Sequence, residues 1–394
     1  MLIYRQQLEN LLEFKNKTDD LMISLYLNVI PNDSITAHLN PLIHNTRNKI
    51  KESLDKDRLR KVDRLIANIE EYATSNLQRL QNTQLVVIFA DTTGFWQEFR
   101  LPVSFPGKMV VEAHPYIRPL SLLLDEFHRY LILVTDSRHT RLFSLYLGDF
   151  EEHPDIFIHD EVPDRVRTKE SMAVGGGGES IMGVFSGVGD KGIEDHIKEH
   201  FHRHLRDAAD KTFEYFKKQK FTRLIIGTPD DRSRPWLKGH LHSYLQERLA
   251  GEFTAQPTSK DSDLKQLALK TAAKYEREQE IRLVDMIFEK SSPGNLGLLG
   301  IDPVIKSLAK GQVHTLAIER GYRRTGYICY DDHTLSSDKE NCPLCNRPMS
   351  EVNDLIDEMV EVALMQNAEV RHIVSPHEEF QKYHAGAILR FAQQ

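Results

Sequence analysis

The segment Tyr130-Leu-Ile-Leu-Val-Thr-Asp-Ser-Arg-His-Thr-Arg-Leu-Phe-Ser-Leu-Tyr-Leu147 is the stretch from which the class of fold follows. Two apolar runs, Tyr130–Thr135 and Thr140–Leu147, are rich in residues that favour β-strands. The polar turn Asp136–His139 separates them. Two such runs joined by a short polar turn predict a hairpin of antiparallel strands.

The elements that follow the hairpin predict an α/β layer domain. Apolar residues at three- and four-residue steps from Ile193 to Phe216 indicate an amphipathic helix. We further predict strands at Ile156–Ile158 and Leu224–Gly227, and a helix over Pro235–Leu249. A polar, glycine-rich segment, 164–192, precedes the long helix. Irregular loops of this length inside compact domains are usually functional or disordered.

The flanking regions predict two more α/β domains. Before the hairpin, strand-like runs at Met22–Val29 and Gln84–Phe89 enclose two helical segments between about Thr36 and Leu80. After it, a helix over Leu264–Glu289 precedes short helices and strands. A chain of 394 residues accommodates two or three domains at roughly 100–200 residues each. We predict three domains, at 1–119, 120–255 and 256–394.

All three cysteines of the chain lie close together, within an insert at about 324–350. Cys329, Cys342 and Cys345 are joined by His333 in the spacing Cys-x3-His-x8-Cys-x2-Cys. Three thiolates and one imidazole complete a tetrahedral zinc shell with no position open for water, so the pattern predicts a structural Zn²⁺ site.

Two alternatives to this ligand set remain at the level of sequence. The cysteines can be three reduced thiols beside a surface histidine, and His314 or His372 can replace His333 as the fourth ligand. A disulfide is disfavoured because the chain shows no export signal.

The net charge of −7, from 51 Lys and Arg against 58 Asp and Glu, argues against attraction of the whole protein to nucleic acid. Local basic stretches remain at 47–64 and 198–223, where mixed-charge solvated helix faces are the alternative interpretation. No apolar run is long enough for a signal peptide or a membrane span. We therefore expect a cytoplasmic, monomeric protein without a membrane partner.

Several segments resemble the archaeo-eukaryotic class 1 release factor and Pelota superfamily, especially its bacterial members, across nearly the whole chain. The hairpin at 130–143 and the strand Leu224–Thr228 resemble its middle domain. Gly300–Ile318 resembles a helix and strand of its third domain. The most specific piece is the ending, Val374–Phe391, with a glycine-containing apolar run before the last strand.

The resemblance implies a three-domain architecture: an α/β amino-terminal decoding-centre domain, a ribonuclease H-like middle domain, and a kink-turn-protein-like carboxy-terminal domain with the zinc insert. It also implies the partners. Members of this superfamily bind the A site of the ribosome, and their third domain binds a translational GTPase.

True release factors carry Gly-Gly-Gln on the loop before the long middle-domain helix. Here the loop reads Val174-Gly-Gly-Gly-Gly-Glu-Ser180 and contains no glutamine. The segment Asn48-Lys-Ile-Lys-Glu-Ser53 matches the family's stop-codon motif, Asn-Ile-Lys-Ser, only partly. We therefore expect no catalytic residues and a ribosome binder of the hibernation type. The side chains and backbone expected to meet ribosomal RNA are Gly175, Gly176, Gly177, Gly178, Glu179, Arg165, Arg167, Lys169, Lys191, Lys198, Arg203, Lys49 and Lys51.

Three enzymatic alternatives stay open. An active peptidyl-tRNA-hydrolysing factor requires a substitute for the missing glutamine. A metal-dependent ribonuclease requires converging carboxylates, for which Asp136, Asp230 and Asp231 are candidates at the ends of middle-domain strands. A metallohydrolase is suggested by His196-Ile-Lys-Glu-His200, although a chain with 18 histidines produces such matches by chance.

Overall fold

The computed structural model describes residues 11, 21–30, 33–77, 80, 83–126, 128–154, 191–292, 295–329, 331–375 and 377–391. By its internal contacts the chain divides into two compact units. The first unit combines 1–127 with 276–394, and the second unit is 128–275. The domain boundaries expected from the sequence stay a prediction. None of the described helices has both the length and the apolar character needed to cross a membrane.

The amino-terminal half of the first unit is an antiparallel sheet of order β3-β2-β1-β4 covered by two helices. Its elements are β1 Met22–Asn28, α1 Ile35–Ser53, α2 Lys56–Asn76, β2 Leu85–Asp91, β3 Trp96–Leu101 and β4 Lys108–Glu112. Asp55 caps the start of helix α2, and its carboxylate accepts hydrogen bonds from the N–H groups of Asp57 and Arg58. The buried stripe of this helix packs on β1 and β2, and Val62, Ile66 and Ile69 are fully buried there.

The carboxy-terminal half of the first unit contains a mixed sheet of order β10-β16-β11-β15 and a small sheet of order β13-β12-β14. Its elements are α3 Arg118–Glu126, β10 Gly297–Leu299, α8 Ile301–Leu308, β11 Val313–Glu319, β12 Gly326–Ile328, β13 Leu335–Ser336, β14 Ser350–Val352, α9 Leu355–Met365, β15 Glu369–Ile373 and β16 Ala385–Leu389. Strands β11 and β15 are parallel. Helix α9 is buried along almost its whole length.

The second unit is built on the predicted hairpin. A five-stranded sheet of order β7-β6-β5-β8-β9 carries α4 and α5 on one face and the first half of α7 on the other. Its elements are β5 Tyr130–Thr135, β6 Thr140–Tyr146, β7 Asp149–Glu152, α4 Lys191–Lys218, β8 Arg223–Thr228, α5 Ser233–His240, α6 Ser243–Gln246, β9 Leu249–Thr254 and α7 Asp261–Glu289. Strand β8 runs parallel to both β5 and β9.

The predicted mixed α/β fold is confirmed, as are the hairpin, the strand predicted at Leu224–Gly227 and both long helices. The helix predicted over Pro235–Leu249 is wrong: α5 ends at His240, Leu241 has an extended backbone, and Leu249 begins strand β9. The apolar residues of this stretch fit a helix equally well by periodicity, but pairing with β8 satisfies the backbone of β9 instead. The strand predicted at Ile156–Ile158 lies outside the described residues.

Candidate metal centre

Two turns of matching geometry hold the cysteines. In each turn the N–H group of the first cysteine donates to the carbonyl oxygen five residues later at 2.8 Å, from Cys329 to Thr334 and from Cys342 to Arg347. A residue with positive φ occupies the fifth position of each turn. These residues are His333, with φ of 56°, and Asn346, with φ of 58°.

The fourth position of each turn points a ligand atom inward. Sγ of Cys329 lies 3.5 Å from Sγ of Cys345, and the Cys342 thiol donates to Oδ2 of Asp332 at 3.2 Å. One ligand atom from each of these four residues lies within 4.8 Å of the others. Two thiolates at about 2.3 Å from a tetrahedral zinc ion would be about 3.8 Å apart, so the turns hold the sulfurs near metal-binding separations.

The surrounding packing fixes this arrangement. Strands β12, β13 and β14 frame the turns, and Cys329 and Cys342 are buried against Met349 and Tyr327. Cys345 is exposed. The peptide N–H of Leu344 donates to Sγ of Cys342 at 3.4 Å, as expected where a tight turn presents sulfur to an ion.

Burial and hydrogen bonding set the protonation of the ligands. Burial raises the pKa of the Cys329 thiol to about 12. Burial also acts to raise the pKa of Asp332, but hydrogen bonds from Thr334 and Cys342 outweigh it and hold that pKa well below its usual range. A metal ion that binds here must therefore displace at least one thiol proton, while the carboxylate is already charged.

The structure brings together the three predicted cysteines but not His333. The side chain beside them belongs to Asp332, while His333 occupies the left-handed position that follows it. The alternatives His314 and His372 lie on β11 and β15 of the other sheet, where they contact Thr315 and Ser121. Sequence analysis missed the repeated spacing: Cys329-x2-Asp332 matches Cys342-x2-Cys345. Three thiolates and one carboxylate are a donor set that suits Zn²⁺.

Most of the residues predicted to contact RNA lie outside the described part of the chain. These are Gly175, Gly176, Gly177, Gly178, Glu179, Arg165, Arg167 and Lys169. Lys191 and Lys198 belong to the first turns of α4, but their side chains are also outside the described part. Arg203 is exposed on α4 and contacts the ring of His200, and Lys49 and Lys51 are exposed near the end of α1.

Of the three acidic residues proposed for nuclease chemistry, Asp136 and Asp230 stabilise turns, and Asp231 forms an ion pair with Arg234 at 2.8 Å. Oδ1 of Asp136 accepts hydrogen bonds from the N–H groups of Arg138 and His139, and Oδ1 of Asp230 accepts from Arg232 and Ser233. Among the described residues, neither carboxylate belongs to a group that could hold a metal ion. In the motif His196-Ile-Lys-Glu-His200, the ring of His200 contacts Arg203, and the side chain of His196 lies outside the described part of the chain.

Comparison with known proteins finds a family similar to the middle part of the chain. Residues 115–276 match the model of bacterial archaeo-eukaryotic release factor family 10. This part of the chain is similar to the archaeo-eukaryotic release factor superfamily. The resemblance stated from the sequence is thereby confirmed at the level of the superfamily. No curated protein matches the sequence.

Solved structures of the superfamily align over much of the chain at low similarity. The archaeal translation termination factor aRF1 is 15% identical, with a TM-score of 0.25 and coverage of 99% of both chains. Archaeoglobus fulgidus Pelota is 12% identical, with a TM-score of 0.33 and coverage of 78% and 79%. Dom34 of S. cerevisiae, a translation termination-like factor that interacts with Hbs1, is 9% identical, with a TM-score of 0.38 and coverage of 99% and 94%. At these scores the likenesses carry no argument about function.

Proposed function

We propose that this protein is a cytoplasmic, monomeric translation factor that binds the A site of the ribosome without hydrolysing peptidyl-tRNA, in ribosome hibernation or rescue. The observation that supports this proposal most strongly is the sequence of the glycine-rich loop. A chain whose residues 115–276 match a release factor family has Val174-Gly-Gly-Gly-Gly-Glu-Ser180 where release factors have Gly-Gly-Gln. A role like that of the hibernation factor Balon is part of this proposal.

The chemistry of the loop favours binding over hydrolysis. In a release factor, the glutamine amide approaches the ester bond and positions the attacking water. Glu179 would bring a carboxylate into a site lined by RNA phosphates, where like charges repel. The glycine backbone still offers N–H donors to ribosomal RNA, and the arginine and lysine side chains near the loop suit phosphate contacts.

We assign a structural role to zinc held by Cys329, Asp332, Cys342 and Cys345. Such an ion would join two turns that are framed by only short strands, and its binding energy would contribute to folding of this small sheet. A translational GTPase that binds the third domain is the second partner in the proposal, on the strength of the resemblance alone.

Ribosome binding and peptide release are tested together. Wild-type protein and the Glu179→Gln variant, which creates Gly-Gly-Gln, are sedimented with ribosomes through sucrose gradients at low salt. Both are then incubated with ribosomes that carry peptidyl-tRNA. We expect both proteins to comigrate with ribosomes and the wild type to release no peptide above the buffer background.

Two outcomes would contradict the proposal. A wild-type protein that stays at the top of the gradient under stationary-phase and low-salt conditions is not a ribosome binder. A wild-type protein that releases peptide above the buffer background is an active release factor. Labelled RNA with added Mg²⁺ or Mn²⁺ tests the nuclease alternative, because only a nuclease yields fragments.

The zinc ligands are tested by measuring the metal content of two neighbouring variants. Asp332→Asn removes the charged ligand, whereas His333→Asn keeps a residue type that tolerates positive φ. We expect zinc affinity to fall at least tenfold in the first variant and to persist in the second. Loss of zinc only from His333→Asn would make the histidine the ligand, and a wild type without zinc affinity would remove the site altogether.

A further inference from the structure

The second unit exposes one aromatic side chain. Of its described residues, Trp236 on helix α5 is the large apolar side chain that stays exposed, with 42% of its surface accessible. Its neighbour Leu237 is fully buried in the core of the unit. A single exposed apolar residue is common on protein surfaces, so its surroundings decide whether it marks a binding site.

Two rings on helix α4 hold the indole in place. The ring centre of His202 lies 4.4 Å from that of Trp236, and the ring centre of Phe201 lies 6.5 Å from it. Nδ1 of His202 is 3.0 Å from Nε2 of His240 on α5, which fixes the imidazole in turn. These contacts restrict the indole without covering it. A ligand that stacks on a preordered ring has a smaller entropy cost than one that must order it.

Helix α5 and the residue before it are rich in positive charge. The segment 232–240 contains three arginine and lysine residues and no aspartate or glutamate. Arg234 and Lys238 form ion pairs with Glu252 on β9. Arg232 is exposed one turn before the indole, and its guanidinium has no hydrogen bond or ion pair among the described residues. This arginine is therefore available to an anionic ligand.

Helix α4 adds a second arginine near the indole. Arg206 is exposed and follows His202 by four residues, so the two lie on one face of the helix. Its charge reaches α5: burial lowers the pKa of His240, and the positive charges of His202 and Arg206 lower it further. Arg206 forms no hydrogen bond or ion pair within the described part of the chain. Its guanidinium is therefore also available to an anion.

Exposed acidic residues bound this surface on α4. Glu199 lies about one turn before His202, and Asp210 about one turn after Arg206. Asp207 is turned by about 100° from Arg206 around the helix axis. The aromatic and basic groups are therefore confined to a short stretch of the two helices.

Unpaired nucleotides of RNA match the chemistry of this surface. Each base has a flat face that stacks on an aromatic side chain, and each phosphate is an anion that arginine binds through paired N–H groups. A duplex keeps its bases stacked and paired, so it cannot use the indole in this way. A purely acidic peptide would pair with the arginines but leave the exposed indole without a contact.

We propose that His202, Arg206, Arg232, Trp236 and His240 form a binding surface for unpaired nucleotides of RNA, named here the Trp236 surface. A base stacks on the indole, and Arg206 and Arg232 bind phosphates of the same strand. The inference deepens the proposed function and rests on it, because ribosomal RNA is the RNA that a protein in the A site meets.

The first test uses the small number of tryptophans. The chain has two, and the other is Trp96 in the first unit, which packs against Tyr72. Trp96→Phe leaves Trp236 as the sole tryptophan, and Trp236→Phe leaves Trp96 as the matched control. Both proteins are titrated at low salt with a single-stranded RNA of mixed sequence and with a duplex RNA of the same length. We expect the single strand to quench the fluorescence of Trp236 more than the duplex does, and to leave that of Trp96 unchanged. Equal quenching of the two tryptophans, or none, overturns the proposal.

The second test separates stacking from charge by measuring the binding of labelled single-stranded RNA at several salt concentrations. Trp236→Ala should bind about 5- to 150-fold more weakly with an unchanged salt dependence, because stacking releases no counterions. Arg206→Gln should reduce the slope of the logarithm of the binding constant against the logarithm of salt concentration by about 0.7. Lys218→Gln, at an exposed position about three turns further along α4, is the control and should match the wild type. A Trp236→Ala protein with wild-type affinity overturns the proposal.

Sedimentation with ribosomes distinguishes this inference from the proposed function. If the wild type comigrates with ribosomes but the RNA titrations fail, only the Trp236 surface is refuted. If the RNA titrations succeed but the wild type stays at the top of the gradient, the proposed function is refuted and the surface serves another RNA. A Trp236→Ala protein that binds RNA normally but no longer comigrates has lost contact with a ribosomal protein, which overturns the assignment to RNA.

Discussion

Acidification should destabilise the first unit through one buried histidine. His372 lies on β15 with 2% exposure, its Nε2 is 3.3 Å from Oγ of Ser121, and its N–H group donates to Asp125. Burial lowers the pKa of His372 to about 3, and the positive charges of Arg118, Arg320 and Arg371 add to the shift.

The sign of the effect follows from proton binding. In the unfolded chain a histidine has a pKa of about 6.5. At pH values between about 3 and about 6.5, the unfolded chain therefore binds a proton that the native protein does not, so the free energy of unfolding falls as the pH falls. The free-energy cost is about 1.4 kcal/mol per pH unit, which gives about 2 kcal/mol between pH 7.5 and pH 5. This value holds for any native pKa below about 4.

The assay compares the wild type with His372→Gln, which keeps a polar atom near the position of Nε2. Urea unfolding is followed by hydrogen exchange of β15, so that the first unit is observed separately. The stability of the wild type relative to the variant should fall by about 2 kcal/mol from pH 7.5 to pH 5. Other groups cancel in the difference, including Glu112 and Asp357, whose pKa values are raised by burial. Parallel curves for the two proteins would refute the reasoning.

Two further predictions concern packing and helix capping. A Cβ atom at Gly227 would lie 2.7 Å from the ring of Phe253, so Gly227→Ala should cost about 1–3 kcal/mol in urea unfolding. Gly239→Ala, where no atom lies within 4 Å of the added Cβ, should be neutral or stabilising, and an equal loss in both would contradict the steric argument. Asp55→Ala should lower the melting temperature through a loss of about 1 kcal/mol, and Asp55→Ser should recover most of it; no difference between these two variants would exclude a capping role.

The second unit illustrates how far local pattern predicts a fold. The hairpin and β8 were predictable because their apolar runs and turns are local signals that lie within a few residues of one another. Strand β9 was not predictable, because Leu249–Thr254 has no strong period of its own and becomes a strand by pairing with β8.

The metal centre was predicted only in part, because its cysteines are visible in the sequence but its fourth side chain is not. Three cysteines within seventeen positions are visible in any sequence, and the structure brings them together. The fourth side chain depended on a detail of the turn: His333 takes the left-handed position, and Asp332, the residue before it, lies beside the sulfurs.

By itself the sequence determined the α/β class, the order of most elements, the superfamily resemblance and the clustering of the cysteines, because each depends on residues that are close together in the chain. Only the tertiary structure decided which side chain joins the cysteines and that His202 on α4 meets Trp236 on α5. Contacts between distant segments are set by the packing of whole sheets and helices, and no local pattern encodes them.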